Sequence, residues 1–421
     1  MKIAILGSGG REHALAYSIY KSKKTKKIYC LPGNAGTSEI ADNVEIDIDD
    51  FNLVYDFIVK EEIELVIIGP EKPLVNGIVD FLENKKISVF GPKKKSAQLE
   101  GSKIFTKNIC KKYNIPTAQF GIFETKELAN NFLKNTAMPI VIKADGLAAG
   151  KGVYICDDLL QSKKAINEIF DGKFGLAKHV LIEEFLDGEE MSFFIISDGK
   201  TFKFFQTAQD HKRVGEGDTG KNTGGMGAYC PSKIINKELH EKIINEIIKP
   251  TIKAIEDLGE NYLGFLYAGL MIKNNNPYLI EYNVRMGDPE CQTIMPLLKS
   301  DFLDLILACQ KKELENFKIE WLNKNSMCIV LCANGYPDNY EKNIEIKNIS
   351  NLKKFDNSFL FHAGTKLNEK KIYSIGGRVL NFVGIEDELF NARKKIINQI
   401  NELNWNKGFF RKDIGFKAID G

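Results

Sequence analysis

Ile140-Val141-Ile142-Lys143-Ala144-Asp145-Gly146-Leu147-Ala148-Ala149-Gly150-Lys151-Gly152-Val153-Tyr154-Ile155 sets a glycine-rich loop between two apolar runs. Its Gly-x-x-x-Gly-Lys-Gly core resembles a P-loop but is one residue short of it. It also carries Gly152 where Ser or Thr would hold Mg²⁺, and it runs into a strand-like segment, not a helix. A glycine loop between strands is instead a flap that can close backbone amides and Lys151 over phosphates. Lys143, ending the first apolar run, can reach the same phosphates. The expectation is a nucleotide-phosphate site drawn from Lys143, Gly150, Lys151 and Gly152.

Upstream, short apolar runs at residues 2–6, 28–31, 65–68 and 88–90 each end in Gly or Pro and alternate with helix-like stretches. That rhythm predicts a parallel, Rossmann-like sheet with crossover helices. After the first run, Gly7-Ser8-Gly9-Gly10-Arg11-Glu12 opens a helix, a geometry that favours anions. A dinucleotide fingerprint is excluded, because Glu12 stands at its third glycine and the second strand leads into Pro32-Gly33-Asn34 with no ribose-binding acid. A smaller phosphorylated ligand or a purely structural turn remains. Beyond Ile115-Pro116-Thr117 the pattern becomes α+β. Its clearest hairpin joins residues 265–272 and 278–284 through Lys273-Asn274-Asn275-Asn276-Pro277.

On the second strand of that hairpin, alternation puts Glu281, Asn283 and Arg285 on one face and Ile280, Tyr282 and Val284 on the other. A carboxylate beside an amide oxygen suits Mg²⁺ bridging nucleotide phosphates, and Arg285 suits charge developing on a transferred group. A solvated polar face is the alternative. Glu183-Glu184-Phe185-Leu186 and Glu189-Glu190 follow another apolar run and are either a solvated turn or a place for adenine and ribose. The segment from Gln209-Asp210-His211 to Gly227, rich in glycine and charge, is either a loop that orders over substrate or a surface loop.

The 421 residues predict several domains, and 43% hydrophobic with 27% charged residues supplies ample core. With 58 basic against 56 acidic residues, the net charge of +2 argues against bulk electrostatic binding to nucleic acid or anionic lipid. No run is long enough to span a membrane, and the N-terminus has no signal-peptide pattern, so a cytoplasmic location is expected. The eight cysteines form no Cys-x-x-Cys pair and are expected to be reduced core thiols.

Together these segments resemble the ATP-grasp ligases, and more closely the phosphoribosylamine–glycine ligase (glycinamide ribonucleotide synthetase) family. The resemblance is carried by Gly7-Ser8-Gly9-Gly10-Arg11-Glu12-His13, Pro32-Gly33-Asn34-Ala35-Gly36-Thr37, Gly69-Pro70-Glu71, Gln98-Leu99-Glu100-Gly101-Ser102-Lys103 and the glycine flap. Gln209 to Arg213, Arg285 to Gln292, Gly376-Gly377-Arg378 and Arg411-Lys412-Asp413-Ile414-Gly415 extend it along the whole chain. Met286 replaces the family's usual Phe, a swap that keeps bulk and apolarity.

The resemblance implies a pre-ATP-grasp phosphoribosyl-binding domain at 1–102 and an ATP-grasp region at 103–315 with a lid at roughly 117–190. A small C-terminal α+β domain at 326–421 would complete a chain with no room for further fused enzymes. It also implies ATP as co-substrate with Mg²⁺ or Mn²⁺, glycine and phosphoribosylamine as substrates, and a monomer or weak homodimer. Lys103, Lys143 and the Gly150-Lys151-Gly152 flap would hold the ATP phosphates, the backbone at Glu183, Glu184, Phe185 and Leu186 adenine, and Glu190 the ribose. Glu281 and Asn283 would hold the metal, Arg285 the acyl phosphate, and Asp288, Asp210 and His211 glycine or the amine. Gly9, Gly10, Arg11, Gly69 and Glu71 would receive the phosphoribosyl group. Ligases or carboxylases acting on another acid, and a non-catalytic nucleotide binder, are the competing readings.

Overall fold

The strand that ends at Gly7 sits at the centre of a five-stranded parallel sheet in the computed structural model, which describes residues 1–147, 152–175, 177–352 and 356–419. Its order is Asp42–Asn43, Lys27–Pro32, Lys2–Gly7, Leu65–Ile68, Val89–Phe90. Lys2–Gly7 therefore lies where the strand order reverses, and its partner Leu65–Ile68 leads into Gly69-Pro70-Glu71. Ligand crevices in open α/β sheets form at such a switch point, beyond the C-terminal strand ends. Val, Ile and Leu fill these strands because both faces are covered by helices such as Gly10–Tyr20 and Phe51–Glu61.

A four-stranded antiparallel sheet follows, ordered Phe120–Phe123, Val180–Glu184, Ile140–Ala144, Val153–Cys156. Helices Lys126–Leu133 and Leu159–Phe170 cover one face of it, and the unit has its own small core around Ile140, Ile142, Ile166 and Ile182. The two strands flanking the glycine flap are thus neighbours in one sheet. Gly150 and Lys151 lie outside the described residues.

The third sheet is antiparallel and spans the rest of the molecule. It runs Asn276–Asn283, Leu263–Lys273, Glu189–Asp198, Phe202–Asp210, Gly227–Cys230, Asn325–Ala333, Arg378–Glu386, Ser358–His362. The strands after residue 325 are hydrogen-bonded to the earlier ones through Gly227–Cys230, so the C-terminal region is continuous with the central body. The last long helix is Leu389–Leu403, its buried stripe of Leu389, Ala392, Ile396 and Ile400 facing that sheet, and a single turn, Phe416–Ile419, follows it.

Two details differ from the sequence expectation. The hairpin turn is only Asn274-Asn275, both at positive φ (52° and 59°), which asparagine tolerates and which matches the strand twist. The register also shifts between Gly269 and Leu270, so Ile280 is an extra residue and strict alternation fails there. Leu279 and Tyr282 point into the core, whereas Ile280 joins Glu281 on the cavity side. All eight cysteines are free and buried. Among the described residues no helix is long and apolar enough to cross a membrane.

Candidate active site

A cavity of about 620 Å³ lies where the three sheets converge. One wall begins at helix Lys103–Tyr113, started by Ser102, whose hydroxyl accepts from Phe105 N and bonds Asp145 across the cleft. Lys103 and Lys107 stand one helical turn apart on the same face. Lys107 Nζ is 3.2 Å from Glu183 Oε1, and Lys143 Nζ is 2.9 Å from Glu183 Oε2. Lys103 donates to the carbonyl of Gly146 at 2.9 Å. Burial pulls the Lys103 and Lys107 ammonium groups below the usual lysine range, despite the carboxylates nearby. Only Glu183 pairs directly with these ammonium groups, while Glu281 and Asp145 act on Lys103 from farther off. A phosphate can add direct partners to this wall.

The Glu183 side chain therefore organises lysines. Glu184, Phe185 and Leu186 follow it along the cavity rim, and Glu184 Oε1 accepts from Gln119 N at 3.0 Å. Glu190 is paired with Lys212 at 3.0 Å, and Lys212 also approaches Glu281 at 3.8 Å. Burial alone would raise the Glu281 carboxyl, but Lys212, Lys143, Lys103 and Arg285 outweigh it and hold the group below its ordinary value. Glu281 is thus an ionised oxygen donor beside the Asn283 amide, both lining the cavity. No group of three or more His, Cys, Asp or Glu suited to a metal occurs among the described residues. Two oxygen donors fit a hard cation that draws its remaining ligands from phosphates and water.

The opposite wall is built from arginines and carboxylates in nearly equal number. Arg285 is held by Glu100 at 2.6 Å and Glu71 at 3.3 Å, and it donates to the carbonyl of Met286. The second oxygen of Glu100 accepts from Val284 N at 2.8 Å, so one carboxylate fixes both backbone and guanidinium. Burial pushes Glu100 up to about 7 against the opposing pull of Arg285, whereas Arg285 and then Arg11 hold Glu71 down to about 2. Arg11 pairs with Glu12 at 2.6 Å. Arg378 reaches Asp288 Oδ1 at 3.3 Å and donates to the carbonyls of Asp288 and Gly224.

The glycine turn departs from expectation. Gly9 N donates to Glu12 Oε2 at 2.7 Å, so that amide is already satisfied by a carboxylate. Cβ atoms on Gly7 or Gly69 would collide with the Glu12 side chain, and one on Gly10 with Asn381 and Gln292. Arg11 and Glu71 line the cavity; Gly9, Gly10 and Gly69 pack behind it. Gly7, Gly9 and Gly69 make room for Glu12, which orients Arg11, and Gly10 makes room for Asn381 and Gln292.

His211 also departs from it. Its Nδ1 lies 3.2 Å from the Gly227 carbonyl and its Nε2 accepts from Gly415 N at 3.0 Å. Burial, helped by Arg411, lowers it to about 4, so the ring is a neutral bridge with no nitrogen left for substrate. Asp210 keeps an open role. It is half-buried in the cavity wall with Oδ1 enclosed and lacking any hydrogen-bond partner, and desolvation together with Glu290 raises its carboxyl well above the usual range. Lys107, Glu100, Lys212 and Arg378 received no role from sequence. Only Lys107 carried a local signal, its i, i+4 spacing from Lys103.

Three family models match in tandem: the N domain of phosphoribosylglycinamide synthetase over residues 1–100, its ATP-grasp (A) domain over 101–291, and its C domain over 326–417. The chain is 44% identical over 421 residues to phosphoribosylamine–glycine ligase of Brucella melitensis, covering 100% of this chain and 99% of that one. It is 43% identical over 426 residues to the enzyme of that name from Escherichia coli O157:H7, covering 100% and 99%. Among solved structures, phosphoribosylamine–glycine ligase of Thermotoga maritima superposes with a TM-score of 0.84 at 34% identity, over 98% of this chain and 100% of that one. Biotin carboxylase of Campylobacter jejuni superposes at 0.75 with 16% identity, over 100% and 95%, a likeness of fold.

Proposed function

Because the chain belongs to the phosphoribosylglycinamide synthetase family, we propose that it joins glycine to 5-phospho-β-D-ribosylamine, converting ATP to ADP and phosphate and giving glycinamide ribonucleotide, the second step of purine biosynthesis. A carboxylate resists attack by an amine, so the glycine carboxylate first takes the γ-phosphoryl group. The phosphoribosylamine nitrogen then attacks the glycyl carbonyl, the C–O bond to phosphate breaks, and the amine gives up a proton. Such chemistry needs positioning and charge neutralisation and no protein nucleophile.

The observation that carries this reading is the pairing, across one cavity, of a lysine wall with a single directly paired carboxylate and an arginine wall whose guanidiniums are each held by carboxylates. Lys103, Lys143 and the Gly152 end of the flap take the ATP phosphates, while the Glu184-Phe185-Leu186 rim meets adenine and Glu190 the ribose. Glu281 and Asn283 would hold Mg²⁺ or Mn²⁺, which would supply positive charge against the nucleotide phosphates. Arg285, immobilised by Glu71 and Glu100, meets the acyl phosphate without reorganising. Asp288 and Asp210 face the glycine amine, and Arg11 with Glu71 faces the phosphoribosyl group.

Glu281→Ala and Arg285→Ala are expected to fold normally and to lose glycine-dependent ADP release by about 10³-fold. Near-wild-type turnover in either variant removes these assignments. Release driven by another acid in place of glycine, in the unaltered chain, overturns the substrate.

A further inference from the structure

Arg411-Lys412-Asp413-Ile414-Gly415 takes no part in the chemistry above, yet it holds one of the most buried large side chains of the molecule, Arg411 at 1% exposure. Its guanidinium makes two bonds to Asp413, at 2.8 Å and 2.7 Å. The same group reaches across to Asp218 Oδ1 at 2.9 Å and to the Arg213 carbonyl at 3.0 Å. Both of those residues belong to a two-stranded hairpin, Arg213–Gly215 with Thr219–Asn222. Two further bonds join the same two segments and a third reaches His211 just ahead of the hairpin. Gly217 N donates to Asp413 at 2.7 Å, Lys412 N to Glu216 at 3.2 Å, and Gly415 N to His211 Nε2 at 3.0 Å. Lys417 pairs with the other oxygen of Asp218 at 2.8 Å.

The hairpin itself packs little. No residue of it or of its turn is fully buried. It nevertheless contributes Arg213, Asp218 and Asn222 to the cavity lining, and Lys417 joins them there. An exposed ribbon of this length is not stable by itself. Most of its bonds to the rest of the molecule come from the C-terminal segment, through charged forks whose geometry sets direction as well as distance, and Lys221 adds an exposed pair with Asp338.

We propose that the segment 411–417 is a latch that positions the 213–222 hairpin on the substrate side of the cavity, with Arg411 as its central positioning residue. Residues 213–222 themselves pair with neither the lysine wall nor the Glu281 strand, whereas the adjacent Lys212 pairs with Glu190 and approaches Glu281, so the latch governs the acid and amine substrates more strongly than the nucleotide. That assignment of substrates rests on the ligase reading.

The test uses the full-length chain with Arg411→Met, Arg411→Lys and Lys417→Gln. Native-state trypsin cleavage after Lys221 is expected to accelerate about tenfold in Arg411→Met and by less in the other two, beyond any change in the global unfolding midpoint. In steady state, KM for glycine or phosphoribosylamine rises about tenfold in Arg411→Met while KM for ATP stays within about twofold, and Arg411→Lys recovers part of the difference. Lys417 is half-exposed, so Lys417→Gln carries the same pattern, weaker, should Arg411→Met fail to fold. Unchanged hairpin cleavage in folded variants overturns the latch. So do KM values for ATP and glycine that rise together, or a loss of activity that only follows lost stability. If the unaltered chain releases no glycine-dependent ADP, the ligase reading fails, and the cleavage comparison still decides the latch.

Discussion

The two walls of the cavity solve one problem, holding charge in a low-dielectric place, in opposite ways. On the lysine wall Lys107 and Lys143 share the single carboxylate of Glu183 and Lys103 leans on a carbonyl, so direct partners are few. On the arginine wall Arg11, Arg285 and Arg378 face Glu12, Glu71, Glu100 and Asp288 at contact distance. An ammonium group is a compact charge that answers burial by losing affinity for its proton; a guanidinium stays charged and is pinned by forked contacts. The first arrangement is completed by a mobile anion. The second is complete before any ligand arrives, which suits charge that develops only during reaction.

Removing Glu183 tests that contrast most severely. Glu183→Gln leaves Lys107 and Lys143 buried without a counter-charge, and breaking such a cluster costs about 3 kcal/mol. ATP supplies the missing negative charge, so the stabilisation measured on adding ATP should be larger in Glu183→Gln than in the unaltered chain. Thermal unfolding with and without ATP reads both quantities. Equal ATP stabilisation in the two proteins would mean that the lysine wall is already balanced.

Acid should strike the two walls unequally. The arginine wall is tied to the N-terminal turn and the C-terminal sheet through buried neutral histidines: His362 N donates to His13 Nδ1 at 2.9 Å, and His211 bridges Gly227 and Gly415. Burial lowers His13 to about 3 and both His362 and His211 to about 4, from an ordinary 6.5. The unfolded chain therefore binds protons first. Stability is intact above about pH 6.5 and falls as the pH drops toward these folded values, by about 2 kcal/mol per histidine at pH 5. The lysine wall rests on no such histidine among the described residues. Denaturant titrations at pH 7 and pH 5 measure the loss, and His362→Asn should shrink it; an unchanged slope in that variant would detach the effect from this bridge.

How much of this was legible in the sequence follows the distance between partners. The parallel sheet, the Asn-rich hairpin and the Glu281-to-Arg285 face could be read because each is local, set by apolar period, turn residues and spacing. Ile280 was misread, since a bulge is created by the opposite strand. Glu183 looked like one acid of a pair near adenine, and only the fold brings Lys107 and Lys143 to it from 76 and 40 residues away. Gly9, Gly10 and Gly69 read as a phosphate cradle because glycine marks close approach; the sequence does not say that the approaching groups are Glu12 at Gly9 and Gly69 and Asn381 with Gln292 at Gly10. Arg411 gave no local sign at all, its hairpin partners lying nearly 200 residues upstream.

Glu100 offers the finest test of the arginine wall. Its carboxyl, raised to about 7 by burial, is ionised only on the alkaline side of neutrality, and its ionised form is what pins Arg285 at 2.6 Å. As the pH falls through 7 the carboxyl takes up a proton, the Arg285 counter-charge is lost, and kcat should decline along an acid limb with an apparent pKa near 7. Glu100→Gln keeps an acceptor oxygen for only one of the two donors, Val284 N and Arg285, and never carries the charge. It should therefore hold the rate at the acid-limb level at every pH, about tenfold below the optimum, and abolish the limb itself. KM for ATP should not move, because the lysines do not touch Glu100. A persistent limb in the glutamine variant would assign that titration to another group, and a risen KM for ATP would show that the two walls are coupled.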